Sequence, residues 1–148
     1  MLGKLARWLR ILGADVLYYP AIEDRQVMKI AREQERTILT RDTRLLQCKG
    51  ARGAVFIRSD HILEQLLEMK DMLDLHDPDL AERCIVCNKR LHAVADRGEV
   101  KDLVPEYVYH NFESFMRCGG CGKIYWEGSH YKNIRERFRK ILKEGIED

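Results

Sequence analysis

Cys84-Ile-Val-Cys87 and Cys118-Gly-Gly-Cys121 are the two stretches that decide the fold of the second half of this chain. Two thiolates two residues apart can bind one metal ion, and two such pairs complete a tetrahedral Cys₄ site. The 30 residues between the pairs suit a zinc ribbon, in which a small β-hairpin sheet brings two knuckles together. We therefore expect a structural zinc held by Cys84, Cys87, Cys118 and Cys121.

The glycines beside the second pair support this interpretation. Gly119, Gly120 and Gly122 let the backbone turn tightly around a thiolate at little steric cost. Two disulfides are one alternative, and a thioredoxin-like redox pair is another. The redox motif, however, needs one pair beside a βαβ unit rather than two matched pairs.

Composition limits the protein to a few classes. The chain has 148 residues and a formal net charge of +2, enough for one small domain plus a metal-stabilised module. It contains neither an apolar run long enough to span a bilayer nor a secretory signal pattern. We expect a soluble cytoplasmic protein without a membrane partner, since thiolates stay reduced there. The basic residues Lys4, Arg7 and Arg10, and those of the tail, could hold phosphates or form a solvated helix face.

The first half of the chain alternates between the strand and helix patterns. Strands are predicted at residues 16–19, 37–40 and 54–57. Helical segments are predicted at 1–12, 24–35, 43–48 and after residue 60. This alternation predicts a small parallel sheet flanked by helices. Residues 74–82 are the expected linker, and a helix is expected from 131 to about 143.

Acidic residues follow the predicted strands. Asp42 comes directly after 37–40, Asp60 follows 54–57, and Asp24 begins the helix after 16–19. Because the carboxyl ends of parallel strands meet at one edge, these carboxylates could share Mg²⁺ or Mn²⁺ and cleave a phosphodiester. The cations expected to hold the flanking phosphates are Arg41, Arg58, Lys4 and Arg7. The alternative is that Asp24 and Asp60 only cap helices.

Several longer stretches are more specific. They are Met-Leu-Gly-Lys-Leu-Ala-Arg-Trp-Leu-Arg (1–10), Ile-Leu-Thr-Arg-Asp (38–42), Ile-Arg-Ser-Asp (57–60), Val-Pro (104–105) and Arg-Cys-Gly-Gly-Cys-Gly-Lys-Ile-Tyr-Trp-Glu-Gly-Ser-His (117–130). Together they resemble the Mut-seven C-terminal RNase family, over nearly the whole chain. The resemblance implies a PIN-like, metal-dependent ribonuclease domain followed by a zinc ribbon. It also implies catalytic roles for Asp24, Asp42 and Asp60, with Lys4 and Arg7 on the helix that borders the site.

The chain departs from the family pattern at its start. The family has a first strand that ends in an Asp just before the Met-Leu-Gly-Lys-Leu-Ala helix, whereas this sequence begins at that helix. Either the start was assigned too late, or the chain is a natural short form with a gapped sheet. Without that central strand we expect unpaired backbone groups and an exposed apolar slot between 16–19 and 37–40, unless those strands pair directly.

The predicted organisation is a PIN-like domain over residues 1–76, truncated at its N-terminus, a zinc ribbon over 83–130, and a basic helix and tail over 131–148. The expected function is hydrolysis of RNA, with single-stranded RNA as the partner. Zinc would be structural, and Mg²⁺ or Mn²⁺ catalytic. The alternative is a non-catalytic RNA-binding or adaptor protein with a degenerate nuclease site. A protein-interaction domain without a nucleic-acid partner is a third hypothesis.

Overall fold

The structure is a computed structural model that describes residues 2–72, 83–126 and 136–141. Its internal contacts divide the chain into a first unit, Met1–Ala6 with Leu17–Lys70, and a second unit, Arg7–Val16 with Asp71–Asp148. The division falls within the first helix. The sequence placed residues 7–16 in the nuclease domain, whereas by their contacts they belong to the unit that holds the cysteines.

The first unit is a small α/β fold. Its helices and strands, in chain order after α1 (Gly3–Ile11), are α2 (Asp24–Glu33), β1 (Leu39–Thr40), α3 (Thr43–Leu46), β2 (Val55–Phe56) and α4 (Ile62–Glu68), with 3₁₀ turns at Lys49–Ala51 and Lys70–Met72. β1 and β2 pair in parallel, with Leu39 opposite Val55. The predicted alternation and the parallel pairing are therefore confirmed, although both strands are shorter than predicted.

Helix α1 ends where the sequence predicts. Gly13 has φ +95°, a conformation that glycine adopts at little cost. Its N–H donates to the carbonyl of Arg10, and the N–H of Ala14 donates to the carbonyl of Leu9, at 3.0 and 2.9 Å. This pair of bonds is a Schellman motif, which satisfies the last carbonyls of the helix.

The prediction of a strand at residues 16–19 is wrong. Both backbone groups of Val16 are hydrogen-bonded to side chains instead of to another strand. Asn88 Oδ1 accepts its N–H at 2.9 Å, and Arg10 Nε donates to its carbonyl at 2.9 Å. Within the described ranges β1 pairs only with β2, so no strand lies along its other edge. The short apolar run therefore has no ladder to join, which agrees with the expected gap in the sheet.

The second unit contains a three-stranded antiparallel sheet in the order β3 (Leu91–Ala93), β4 (Phe115–Cys118), β5 (Ile124–Trp126). Between β3 and β4 lie a 3₁₀ turn, Arg97–Val100, and α5, Glu106–Asn111. Their buried side chains pack with the sheet in one core, formed by Val100, Val108, Phe115 and Ile124, with Tyr109, Phe112 and Trp126 around it. Four aromatic residues of this module, Tyr109, Phe112, Phe115 and Trp126, thus contribute to its core.

Residues 136–141 are helical, and Phe138 packs edge-on against Trp8 with ring centroids 4.7 Å apart. The remainder of the helix predicted at 131–143 and all of the linker predicted at 74–82 lie outside the described residues. Among the described residues, no helix is long and apolar enough to cross a membrane.

Candidate metal centre and active-site cavity

The two cysteine pairs sit on matching turns. In the first turn, the N–H of Cys84 donates to the carbonyl of Lys89 and the N–H of Asn88 to the carbonyl of Cys84, at 2.8 and 2.9 Å. Cys118, Lys123 and Gly122 repeat this pattern, with both distances at 3.0 Å. Asn88 and Gly122 have φ +70° and +78°. Gly122 therefore serves the conformational role predicted for the glycines, and Asn88 fills the same position in the first turn.

The four sulfurs converge on one point. All four Sγ atoms lie within 4.8 Å of one another. The Cys84 and Cys121 sulfurs are 3.6 Å apart, and those of Cys87 and Cys118 are 3.1 Å apart. A tetrahedral zinc with Zn–S bonds of about 2.3 Å needs sulfurs roughly 3.8 Å apart, whereas a disulfide needs about 2 Å. All four cysteines are unbridged, so the two-disulfide alternative is wrong, and the donor set fits zinc.

Hydrogen bonds split the thiols into two classes. Burial alone would raise the pKa of Cys118, but the N–H groups of Cys121 and Gly120 and the Cys87 thiol lower it to about 6. Burial and the neighbouring Cys118 raise the pKa of Cys87 to about 11. The pKa of Cys84 is lowered by the Tyr125 hydroxyl against the effect of burial, and that of Cys121 is raised. In each close sulfur pair the pKa of one thiol is thus lowered and that of the other is raised. Zinc binding would release the protons that the four thiols still hold.

Tyr125 supports the first turn from outside the sulfur cluster. Its hydroxyl lies 3.1 Å from the sulfur of Cys84 and accepts the N–H of Ile85 at 3.2 Å. Burial and the adjacent Cys84 raise the pKa of this phenol, so it stays a donor. Hydrogen bonds of this kind fix metal ligands and tune their basicity. This role of Tyr125 is not predicted above from the sequence. The alternation of residues along β5 places Tyr125 on the same side as the cysteines and could have indicated it.

Arg10 also supports the first turn. It is buried, and its guanidinium donates to the carbonyls of Ile85 and Val86 at 3.0 and 3.3 Å as well as to Val16. Asn88 adds a second link, since its side-chain amide donates to Asp15 Oδ1 at 2.7 Å. The hypothesis that Arg10 holds phosphate is therefore wrong, because its donors are committed to the backbone beside the cysteines.

A cavity of about 380 Å³ lies in the first unit, between residues 17–19 and β1. Its walls are mainly apolar, with Leu2, Ile22, Val27, Ile30, Ala31 and Ile38 among them. None of the apolar residues of α2 is fully buried. The expected apolar slot is therefore present, lined by residues of α2 and β1.

Two of the three predicted carboxylates line this cavity. Asp24 and Asp42 are both lining residues, and Arg41 lies between the strand and Asp42 in the same wall. Asp42 caps α3, with Oδ1 accepting the N–H of Arg44 at 2.8 Å, while its own N–H donates to Thr40 Oγ1 at 2.9 Å. Asp24 is not a cap, because Glu23 precedes α2 at that position.

Asp60 is placed differently. It does not line the cavity and instead pairs with the guanidinium of Arg41. It does not cap α4 either, since His61 occupies that position. In the part of the chain that the structure describes, only the four cysteines form a group of three or more side chains able to surround one metal ion. Asp60 is thus engaged by Arg41, and the three aspartates are not gathered around a common point.

The other predicted phosphate ligands are exposed. Lys4 and Arg7 lie on the solvent-facing side of α1, and Arg58 follows β2. The backbone N–H of Arg58 donates to Glu68 Oε2 at 2.9 Å, which fixes its main chain. Exposed side chains are accessible to RNA, but nothing here tests phosphate binding by Lys4, Arg7 or Arg58, which stays a prediction.

Comparison with known proteins identifies the family. The family model described as Mut7-C RNAse domain matches residues 1–138. The chain belongs to this family. No curated protein and no solved structure matches the chain significantly. The Mut7-C match covers both the cavity with Asp24 and Asp42 and the four cysteines, so the resemblance inferred from the sequence is confirmed.

Proposed function

We propose that this protein is a metal-dependent ribonuclease that hydrolyses RNA phosphodiester bonds in the cavity of the first unit. The observation that carries the proposal is that Asp24 and Asp42 line one cavity together with Arg41, in a chain of the Mut7-C RNAse family. Zinc at the four cysteines would be structural and would stabilise the ribbon.

Two carboxylates are sufficient for the proposed catalytic ion. Mg²⁺ is commonly bound by one or two carboxylates, with waters and substrate phosphates completing its coordination. Asp42 has one oxygen engaged by the N–H of Arg44, which leaves its second oxygen for Mg²⁺ or Mn²⁺ beside Asp24. When bound, the ion would activate water and stabilise the charge that develops on the phosphate.

The remaining polar groups of the cavity would position the substrate. Arg41 would hold the phosphate next to the scissile bond, and Asp60 would orient its guanidinium through their ion pair. Thr40 fixes the backbone of Asp42 and therefore the direction of its carboxylate. The apolar wall would exclude water other than the attacking molecule.

The test is cleavage of 5′-labelled single-stranded RNA by zinc-loaded protein in Mg²⁺, in Mn²⁺ and without added divalent metal. Omitting the metal is preferable to adding a chelator, which would also compete for the zinc of the cysteine site. Products are expected only with Mg²⁺ or Mn²⁺, and Asp42→Asn or Asp24→Asn should abolish them.

The Asp42→Asn variant separates catalysis from folding. Asn is as good a helix cap as Asp, so the bond to the N–H of Arg44 is retained and α3 should be intact. The matched control is Asp102→Asn, an exposed aspartate of the second unit, which should cleave at the parent rate. Undiminished cleavage by Asp42→Asn would remove this cavity from the mechanism.

A non-catalytic RNA-binding protein is the second candidate. One observation favours it: Asp60 is neutralised by Arg41 and does not line the cavity. The same assay decides between the two, because stable RNA binding without products in either metal would support the non-catalytic function.

A further inference from the structure

Charge is unevenly distributed along the second unit. The segments that form the cysteine turns and the strands, 83–93 and 115–126, contain no Asp or Glu. Their cations are Arg83, Lys89, Arg90, Arg117 and Lys123. The intervening segment, 94–114, carries an excess of acids: Asp96, Glu99, Asp102, Glu106 and Glu113. Positive charge is therefore concentrated in the two segments that carry the cysteines.

The structure brings several of these cations to the second turn. A Cβ built on Gly120 would lie 2.6 Å from Cδ of Lys89, so the lysine stem crosses this glycine. His92 lies beside Gly119, and it pairs across the strands with Arg117. Lys89, His92 and Arg117 are all exposed, as are the two glycines. Exposed glycines allow a ligand backbone to approach closely.

Among the described residues, few carboxylates lie close to these cations. Within residues 2–72, 83–126 and 136–141, Arg83 pairs with Asp15, but no carboxylate lies within ion-pair distance of Lys89, Arg90, Arg117 or Lys123. A zinc ion bound by four thiolates has a formal charge of about −2. The four cations carry about two more positive charges than are needed to balance the zinc–thiolate site. Balancing that site therefore does not explain all of them.

We propose that the second-turn face, formed by Lys89, Arg90, His92 and Arg117, binds the phosphate backbone of RNA. Exposed, unpaired cations along a strand surface attract successive phosphates and release their counterions. The face would add affinity for RNA without taking part in the chemistry. The choice of RNA among polyanions rests on the proposed function, whereas the charged face itself does not.

The test is fluorescence anisotropy with labelled single-stranded oligouridylate and zinc-loaded protein, without Mg²⁺ or Mn²⁺, over a range of salt concentrations. The variant is Lys89→Gln with Arg117→Gln. Affinity near 0.1 M salt should fall at least about tenfold, and the salt slope should decrease by about 1.4, because each lost phosphate contact on a single strand contributes about 0.7. The matched control is Lys29→Gln with Lys101→Gln, two exposed lysines outside the face, which should bind with nearly the parent affinity.

Zinc content and a competitor complete the test. Retained zinc with weakened RNA binding supports the proposal, whereas unchanged RNA binding overturns it. Loss of zinc from the double variant would also overturn it, since the cations would then serve the thiolates. Polyglutamate that competes as well as RNA at equal charge would favour an acidic protein partner instead. RNA binding is measured without catalytic metal and is repeated with the Asp42→Asn variant. The binding result is therefore independent of whether the protein cleaves RNA.

Discussion

Replacing Arg10 by Met should destabilise the cysteine site, although Arg10 touches no sulfur. The guanidinium donates three hydrogen bonds, to the carbonyls of Val16, Ile85 and Val86. Met keeps the apolar stem of the side chain but removes every donor. The hydrogen-bonded pair with Ile85 is buried, and leaving such a carbonyl unsatisfied costs about 1–3 kcal/mol. The carbonyls of Val16 and Val86 are partly buried and can be rehydrated, at about 0.5–1.5 kcal/mol each.

The total expected loss is about 2–6 kcal/mol in the free energy of unfolding of the second unit. Metal binding and folding are coupled in small zinc modules, so the loss should appear in the apparent zinc affinity. At 1.4 kcal/mol per factor of ten, the affinity should fall by at least about 30-fold. The assay is competition for zinc with a chromophoric chelator, supported by denaturant unfolding of the zinc-loaded protein.

Arg7→Met is the matched control, because Arg7 lies one turn earlier on the same helix and is exposed. It should change the zinc affinity by less than about threefold, as expected for a surface substitution. If Arg10→Met bound zinc as tightly as Arg7→Met, the inferred support of the first turn by Arg10 would be refuted.

Three further predictions concern the cysteine site and the cavity. Tyr125→Phe removes the hydroxyl next to Cys84 and Ile85 and should weaken zinc binding about 10- to 100-fold. The control Tyr107→Phe, at an exposed tyrosine, should leave zinc binding unchanged, and equal affinities of the two variants would contradict this role of Tyr125. Zinc binding near pH 7.5, followed with a pH indicator, should release fewer than four protons. The reason is that hydrogen bonds, against the effect of burial, lower the pKa of Cys118 to about 6, so this thiol is already ionised. Zinc affinity should fall as the pH falls, and release of four protons would contradict the lowered pKa of Cys118. Asp42→Ala should lower the free energy of unfolding by about 1 kcal/mol through loss of the α3 cap, whereas Asp42→Asn should not, as denaturant titration would determine.

The features that sequence predicts well are those set by local spacing. The two Cys-x-x-Cys pairs predict a site with four thiolate ligands without any knowledge of the tertiary fold, and the four sulfurs do lie close together. The leucines of α1 and the stop at Gly13 follow from helical periodicity and the conformational freedom of glycine. The strand–helix alternation likewise predicts the parallel pairing of β1 with β2.

The features that sequence does not predict depend on distant partners. The charge of Arg10 suggests a phosphate ligand, but its guanidinium is buried and donates to carbonyls 75 and 76 residues away along the chain. Residues 16–19 have strand composition, yet a strand requires a neighbouring ladder, and Val16 is bonded by side chains instead. Asp60 follows a strand as Asp42 does, but it pairs with Arg41 and does not line the cavity. In each case the tertiary partner, rather than local propensity, decides the role.

The central claim is that a divalent ion at Asp24 and Asp42 contacts the scissile phosphate. Its most direct test is cleavage of RNA with a single phosphorothioate at the scissile position. Sulfur is a soft ligand that Mg²⁺ binds poorly and Mn²⁺ accepts better. We predict that sulfur substitution slows cleavage in Mg²⁺ and that Mn²⁺ restores the rate, with no cleavage by Asp42→Asn in either metal. Equal rates for the oxygen and sulfur substrates in both metals, or cleavage that persists in Asp42→Asn, would contradict the account.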